Sequence, residues 1–378
     1  MCLSSLKALT CAQLPRSHNA MKIIAAMSGG VDSSVAAVSL LREGHEVLGV
    51  HLRMRAPELA AESNCVNPQH EHDARAVAER AGIPFQTIDM CEAFELHVAQ
   101  PFMRAYQRGE TPNPCVMCNL RVKLGPLVEW ALANGYDAIA TGHYARITRD
   151  EPTGRWQLRR GITRAKDQSY YLCALRQEHL AHLVLPLGEL EKSETRAMAQ
   201  RWGLAVAQKR DSQDICMVAA DGNYRAYMAR RLGAESLGAP GPILTTTGES
   251  IGRHHGLGNY TIGQRKGIGI GYAHPLYVVA LDIEHNTLIV GPNEELYRRS
   301  LHVTDVNWSS MAPPETGACF PAQVQVRYQH KPARAEIRVL EPQRIEIEFE
   351  EPQRAIAPGQ IAALYDEDLL LAGGTIQR

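Results

Sequence analysis

Seven residues near the start of the chain, Ser28-Gly29-Gly30-Val31-Asp32-Ser33-Ser34, combine two glycines, an aspartate and three hydroxyls. Glycines let backbone N–H groups close around an anion, and serine hydroxyls add donors. Phosphate is the natural ligand. A Walker A loop would need a lysine here, and there is none. Asp32 is the residue that could hold Mg²⁺ near the phosphates. The plain alternative is an acid in a first helical turn, which the helix dipole favours without any metal.

A second group is thiol chemistry. Thr111-Pro112-Asn113-Pro114-Cys115-Val116-Met117-Cys118-Asn119 puts two cysteines three apart behind two stiffening prolines. In the first turn of a helix they share a face. A helix N-terminus with Arg121 and Lys123 nearby is expected to favour thiolate. Half a zinc site or two buried thiols are the alternatives, and no second CxxC exists to complete a zinc set. Spacing alone leaves structural and reactive roles level. Cys216 follows Lys209-Arg210-Asp211-Ser212-Gln213-Asp214-Ile215. A lone cysteine is usually buried and inert. A chain returning to the sheet could bring it over Cys118, where two thiols form a disulfide or pass a sulfane sulfur.

Alternating elements must position these groups. Strands read at Ile23–Met27, Val47–Leu52, Phe85–Met90 and Tyr136–Thr141. Helices read near Ser33–Arg42, Asp73–Arg80, Ala93–Arg108 and Arg121–Leu132, and Gly44, Gly82 and Gly135 fall at helix ends. That order gives an α/β fold with a doubly wound parallel sheet, its phosphate loop at the carboxyl edge of the first strand. Beyond Gly222 a helix at Tyr224–Leu232 leads into short alternating strands. Tyr277–Val290 and Ala335–Phe349 read as hairpins. The expected organisation is an extension at 1–20, a first domain at 21–218 that carries the phosphate loop and has an insertion near 145–190, a small central β domain at 219–294 and a C-terminal β-barrel at 295–378.

The chain has 378 residues, 45% of them apolar, with a net charge of −1. Global charge therefore announces no nucleic-acid binder, and any RNA surface must come from local clusters. Arg155, Arg159, Arg160, Arg164 and Lys166 form one; Lys209-Arg210, Arg265-Lys266 and Arg327 with Lys331 and Arg334 are others. Nine scattered cysteines suit a reducing cytoplasm. No apolar run approaches the roughly 18 residues that span a bilayer, and Met1–Ala20 lacks the pattern of a signal peptide.

The strings SGGVDSS, TPNPCVMCN, Ala140-Thr141-Gly142-His143-Tyr144, Lys166-Asp167-Gln168-Ser169-Tyr170, Leu187-Gly188-Glu189-Leu190, Asp211–Cys216, Thr261–Gly267 and Pro358-Gly359-Gln360 occur in one order along the chain. Together they resemble the bacterial tRNA-specific 2-thiouridylases (MnmA), a family of PP-loop ATP pyrophosphatases with an adenine nucleotide alpha-hydrolase-like sheet. The resemblance covers Lys22 to nearly the C-terminus. It implies ATP-dependent 2-thiolation of the wobble uridine of tRNA, with Mg²⁺ and a protein persulfide donor from a cysteine desulfurase relay. Residue by residue, it implies that Ala26, Met27, Ser28, Gly29, Gly30, Val31, Asp32 and Ser33 hold ATP phosphates, while Leu52 and Gly142 line the adenosine site. Cys118 takes the place of the catalytic nucleophile and Cys216 that of the persulfide carrier. Asn113, Pro114 and Cys115 fall where the target base is contacted. His143, Lys166, Asp167, Gln168, Arg327, Tyr328 and Gln360 match tRNA contacts.

One position departs from a common form of the family, which has aspartate where this chain has Cys115. A thiol is a weaker hydrogen-bond partner than a carboxylate. The departure also leaves Cys115, Cys118 and Cys216 as three thiols that could hold an iron–sulfur cluster with one open iron. The cluster-free two-thiol relay is the favoured reading. Rival functions are a PP-loop ligase adenylating a small molecule, which needs no distant paired cysteines, and a non-enzymatic iron–sulfur or zinc protein, which leaves SGGVDSS unexplained. Cys65-x₄-His70-x-His72 reads as a polar loop rather than a metal site. Cys91, Cys173 and Cys319 read as buried small hydrophobes.

Overall fold

The computed structural model describes residues 20–54, 68–209, 215–218 and 221–377. Cys65 and most of the Asp211–Cys216 string lie outside them. Strands β1 (Lys22–Ala26), β2 (Glu46–Arg53), β3 (Phe85–Asp89), β4 (Ala138–Ala140) and β7 (Leu183–Val184) form a parallel sheet in the order β3-β2-β1-β4-β7. Ile23 and Ile24 are both fully buried, one in the core on each face, because a central parallel strand is covered twice. Helices Val31–Arg42 and Pro68–Ala81 cover one face, and Gly125–Ala133 covers the other. Gly44, Gly82 and Gly135 take φ of 91°, 72° and 76°, the left-handed geometry that ends a helix.

Two expected helices are interrupted. The run from Cys91 to Gln107 contains a π turn at Glu95–Ala99, and a helix opening at Pro114 passes through a second at Asn119–Lys123 before Gly125–Ala133. Such turns insert a residue into the i→i+4 ladder and cluster at functional sites. Here Leu124 N–H donates to the Asn119 carbonyl at 2.8 Å, at the end of the turn that carries Lys123.

The second half is β-rich, as its alternation predicted. Strands β8 (Gly241–Thr245), β9 (Ser250–His254), β10 (Tyr277–Asp282) and β11 (Thr287–Gly291) make a small sheet with its own core. Strands β12 (Tyr297–Asn307), β13 (Cys319–Gln325), β14 (Ala333–Glu341), β15 (Arg344–Arg354), β16 (Ile361–Asp366) and β17 (Leu369–Ile376) close into a six-stranded barrel through β12–β17 pairing. Ile337, Val339, Ile345, Ile347 and Phe349 all point inward and are buried. Cys173 is buried, but Cys91 is half-buried and Cys319 is exposed on β13, so neither of these two is a core residue.

The segment after β4 does more than insert into the catalytic domain. Its hairpin, β5 (Ala145–Arg149) and β6 (Trp156–Arg160), joins the barrel sheet at Leu369, the first residue of β17, ahead of the stretch that pairs with β12. Arg146 and Arg159 both ion-pair with Asp368, the latter at 2.7 Å. This shared sheet ties the barrel to the segment that follows β4.

Candidate active site

The phosphate loop connects β1 to helix Val31–Arg42, with Gly30 as the residue before the first turn. Ser28 N–H donates to Ser33 Oγ at 3.1 Å, and Ser34 Oγ donates to the Gly30 carbonyl at 2.8 Å, so the loop is curled upon itself. Gly29 has φ of +74°, and a Cβ there would lie 2.1 Å from the His70 carbonyl oxygen. A Cβ on Gly142 would lie 2.6 Å from Ser33 N. Backbone therefore closes on the loop from two sides, and only glycine fits either contact. Ala26 and Met27 lead into the loop, and Leu52 is a partly buried residue near the end of the neighbouring β2.

Two lysines flank this loop, and sequence reasoning missed the role of both. Lys192 Nζ donates to both carboxylate oxygens of Asp32, at 2.6 and 2.8 Å. Tyr144 Oη donates to the same Asp32 Oδ1 at 3.0 Å, and lies 3.0 Å from the buried Thr195 hydroxyl. Lys209 Nζ donates to the Gly29 carbonyl at 2.9 Å and to Asp73 Oδ2 at 2.7 Å. Lys209 thus faces the loop instead of joining an RNA surface. The one local hint for Lys192 is its place in the first turn of helix Lys192–Arg201, where the helix dipole disfavours a cation.

Asp32 does not fit a metal as it stands, because both oxygens are already engaged by an ammonium and a phenol. Among the described residues no group of three or more His, Cys, Asp and Glu side chains converges as a metal would require.

The thiol helix begins as its sequence dictates. Asn113 caps it by accepting from Cys115 N–H at 3.1 Å, and Pro114 occupies the first position, where no N–H is needed. The C-terminal barrel grips the approach: Thr111 N–H donates to the Pro358 carbonyl at 2.7 Å, and Gln360 Nε2 donates to the Thr111 carbonyl at 2.8 Å. Cys118 is buried in an apolar cluster with Phe102, Tyr106, Tyr227, Met217 and Val218. Met217 and Val218, which follow Cys216, thus belong to the same cluster as Cys118. Cys118 and Cys115 are free thiols, whereas half-buried Cys216 is disulfide-bonded, and Cys118 is not its partner.

The expectation of thiolates fails in this state. Burial pushes the Cys115 thiol up to about 11 and raises that of Cys118. The Lys123 ammonium opposes both shifts without overcoming them. Lys123 also acts on His143, whose imidazole burial lowers to about 3. His143 Nδ1 lies 2.7 Å from Thr141 Oγ1, so the ring is neutral and oriented. With Cys216 in a disulfide, only Cys115 and Cys118 of these three are free thiols in this state.

The implied tRNA contacts divide. Asp167 is buried and spent internally: it pairs with buried Arg160 at 2.9 Å and accepts from Ser169 Oγ, Ser169 N–H and Gly161 N–H. Gln168 accepts from Tyr144 N–H at 3.0 Å. Arg327 donates to the Arg354 carbonyl at 3.2 Å, and Tyr328 packs on Tyr171 with ring centroids 4.4 Å apart. Arg164, exposed, and Lys166, half-buried, lie on a 3₁₀ turn. The run of arginines is thus no continuous RNA patch, because Arg159 and Arg160 neutralise Asp368 and Asp167 and Arg155 donates to the Trp308 carbonyl.

Three family models match successive parts of the chain. Residues 21–220 match the tRNA methyl transferase HUP domain, 226–292 the tRNA methyl transferase PRC-barrel domain and 298–376 the aminomethyltransferase beta-barrel domain. The tRNA-specific 2-thiouridylase MnmA of Solibacter usitatus is 44% identical over 367 residues, covering 94% of this chain and 99% of that one. Its counterpart in Moorella thermoacetica is 46% identical over 355 residues, covering 93% and 98%. Among solved structures, a 4-thiouridine synthetase–RNA complex with bound ATP aligns with a TM-score of 0.34 and 17% identity, covering 53% of this chain and 45% of that one.

Proposed function

The chain belongs to the tRNA-specific 2-thiouridylase family, and from that premise we propose how its residues divide the work. The enzyme is a tRNA sulfurtransferase that thiolates uridine with ATP. The finer assignment is 2-thiolation of the wobble uridine, with sulfur relayed through Cys216 and Cys118. One observation carries it: the segment 215–218 packs into the same apolar cluster as Cys118, in a domain whose sheet also carries the phosphate loop.

A uridine carbonyl is a poor electrophile and oxide a poor leaving group. In the first step O2 attacks the α-phosphorus of ATP and pyrophosphate leaves. Preorganised donors at the departing charge do most of the work in such a step. Loop N–H groups, the serine hydroxyls, Lys192 and Lys209 supply them here. Mg²⁺ arrives as part of the ATP substrate, and no step is assigned to a metal on Asp32.

Sulfur follows. The terminal sulfur of a Cys216 persulfide attacks C2 and AMP departs. The Cys118 thiolate then attacks Cys216 Sγ, the sulfur–sulfur bond breaks, and its electron pair completes the C2 thiocarbonyl. The product is 2-thiouridine with a Cys118–Cys216 disulfide, which a cellular dithiol reduces. Cys216 must likewise be a free thiol before a persulfide donor can load it. The uridine must be splayed from its stack to reach these thiols. Asn113, Pro114 and Cys115 receive it, and neutral His143 offers a hydrogen bond rather than a charge.

This reading places the enzyme in the cytoplasm with its tRNA and its persulfide donor. Among the described residues no helix is long and apolar enough to cross a membrane. The test is mass spectrometry of nucleosides after incubation with tRNA, ATP, Mg²⁺, a dithiol and a persulfide donor. Appearance of 2-thiouridine is expected; AMP release without any thiolated nucleoside would sink the reading.

A further inference from the structure

Asp32 at the phosphate loop is held by two arms, the Lys192 ammonium and the Tyr144 phenol. Both arms are fastened to one short element, the 3₁₀ turn Arg164–Lys166, at its opposite ends. Before the turn, Thr163 Oγ1 donates to the Leu190 carbonyl at 3.2 Å and to Glu191 Oε2 at 3.0 Å. Glu191 caps the helix Lys192–Arg201, so Thr163 fixes the residue beside Lys192. After the turn, Gln168 brackets Tyr144. Its N–H donates to the Tyr144 carbonyl at 2.9 Å, and its Oε1 accepts from Tyr144 N–H at 3.0 Å. A Cβ on Gly161 would lie 2.8 Å from the same Tyr144 carbonyl oxygen, so backbone is packed directly on backbone there.

Tyr144 is built as a rigid connector. It is 2% exposed, and its hydroxyl lies 3.0 Å from that of the fully buried Thr195, one turn into the Lys192 helix. The turn itself faces outward and carries exposed Arg164 and half-buried Lys166. Asp167 behind it is neutralised by Arg160, and Glu367, which lines the adjoining cavity, offsets part of the positive charge. The net cation that remains suits an RNA phosphate backbone. Packed backbone and hydrogen-bond chains are the physical carriers of coupling between sites. A ligand that favours one geometry of the turn therefore biases the groups tied to it. The chemistry gives such a bias a use, because a site competent to cleave ATP before its acceptor arrives loses the activated phosphoryl group to water.

We propose that the Arg164–Lys166 turn couples tRNA binding to the ATP site, with Tyr144 and Thr163 as the positioning residues that carry its occupancy to Asp32 and Lys192. The inference rests on the tRNA-thiolation reading above. It adds a regulation of the first step: the clamp on Asp32 is set for ATP when the RNA strand is in place, and ATP in turn favours the turn geometry that holds the strand.

The experiment measures how strongly the two ligands help each other to bind. The nucleotide is α,β-methylene-ATP with Mg²⁺, which is not cleaved between the α and β phosphates. The tRNA carries an abasic nucleotide in place of the target uridine, so no base reaches the nucleotide and direct contact between the ligands is removed. Anisotropy gives the tRNA affinity with and without saturating analogue for the wild type, Tyr144→Phe and Thr163→Val. In the wild type the analogue should tighten tRNA binding about tenfold, and tRNA should tighten the analogue by the same factor. In each variant that factor should fall to within about twofold, while tRNA alone binds near its wild-type affinity. A merely structural role would weaken each ligand and leave the factor unchanged. Thr163→Val lies on the other arm, so its result stands even if Tyr144→Phe is poorly folded. A wild-type factor near one, or an undiminished factor in either variant, overturns the coupling alone. A wild-type protein that neither binds nor thiolates intact tRNA overturns the functional reading along with it.

Discussion

Lys192 and Asp32, 160 residues apart in sequence, form a bidentate ion pair beside the phosphate loop, with Nζ 2.6 and 2.8 Å from the two carboxylate oxygens. Lys192 is largely buried, at 13% exposure of its side chain, and its ammonium lies 5.6 Å from the Tyr144 ring centroid. A cation held this way is preorganised for an incoming triphosphate. Lys192→Ala should slow AMP formation by about 10²-fold, the usual cost of one preorganised donor. Persulfide loading of Cys216 should be unchanged. Asp32→Ala should slow AMP formation by about the same 10²-fold, because Asp32 holds that ammonium in place, and the double variant should be no worse than either single, since the two act as a unit. Pyrophosphate release measured across the four enzymes checks this; additive losses would separate their roles.

The glycine contacts predict where the loop tolerates nothing. Gly142→Ala introduces a Cβ 2.6 Å from Ser33 N, so the turn that carries His143 must move away from the loop. The expected result is a rise of at least about tenfold in the KM for ATP, with strain of about 1–3 kcal/mol against the fold. Steady-state kinetics with a thermal melt would report both. Unchanged ATP binding would show that the turn has slack.

For the thiols, Cys216→Ser should still release AMP in the presence of tRNA but accept no persulfide, because a hydroxyl cannot form one. Cys118→Ser should accept persulfide and fail to complete delivery. Intact-protein mass spectrometry with nucleoside analysis distinguishes the two. Wild-type rates of thiolation by Cys216→Ser would end the relay model.

The raised thiol pKa values give sulfur transfer a pH dependence of defined sign. Below its pKa the thiolate fraction of Cys118 grows about tenfold per pH unit. Single-turnover sulfur release should therefore climb from neutral pH upward, and Lys123→Met should move the profile to higher pH, because Lys123 is the cation opposing burial. Stability has the opposite slope. Cys115 keeps its proton up to about 11 in the folded chain against an ordinary 9.0. Between those values the unfolded state has already lost a proton that the native state retains, so stability falls as pH rises. Cys115→Ala should flatten that part of the curve in denaturant melts taken at several pH values.

Asp167 tests structure against contact. With its carboxylate spent on Arg160, Ser169 and Gly161, Asp167→Ala should cost about 3–5 kcal/mol by leaving a buried guanidinium unpaired. The loss should appear in urea melts without any RNA. A variant of wild-type stability that binds tRNA poorly would make Asp167 a direct contact after all.

Much of this protein is written in local pattern. The β–loop–α run at Lys22–Arg42, the glycine ends at Gly44, Gly82 and Gly135, and the hairpin at Ala335–Phe349 follow from periodicity and from backbone constraints acting over a few residues. SGGVDSS and the cap at Asn113-Pro114 carry their chemistry within one turn of chain. Other features depend on what arrives from far away. Whether an arginine meets RNA or a buried aspartate depends on its partner, and Arg160 finds Asp167 only because β6 docks on β17. Whether Cys118 is a thiolate depends on burial, and the apolar cluster around it outweighs the nearby Lys123. The two lysines at the phosphate loop have no signature of their own, since an ammonium is defined by the carboxylate and carbonyl that the fold brings to it. Residue types and spacing determined which chemistry is available; solvent exclusion and long-range pairing, which exist only in the folded chain, decided which groups are free to perform it.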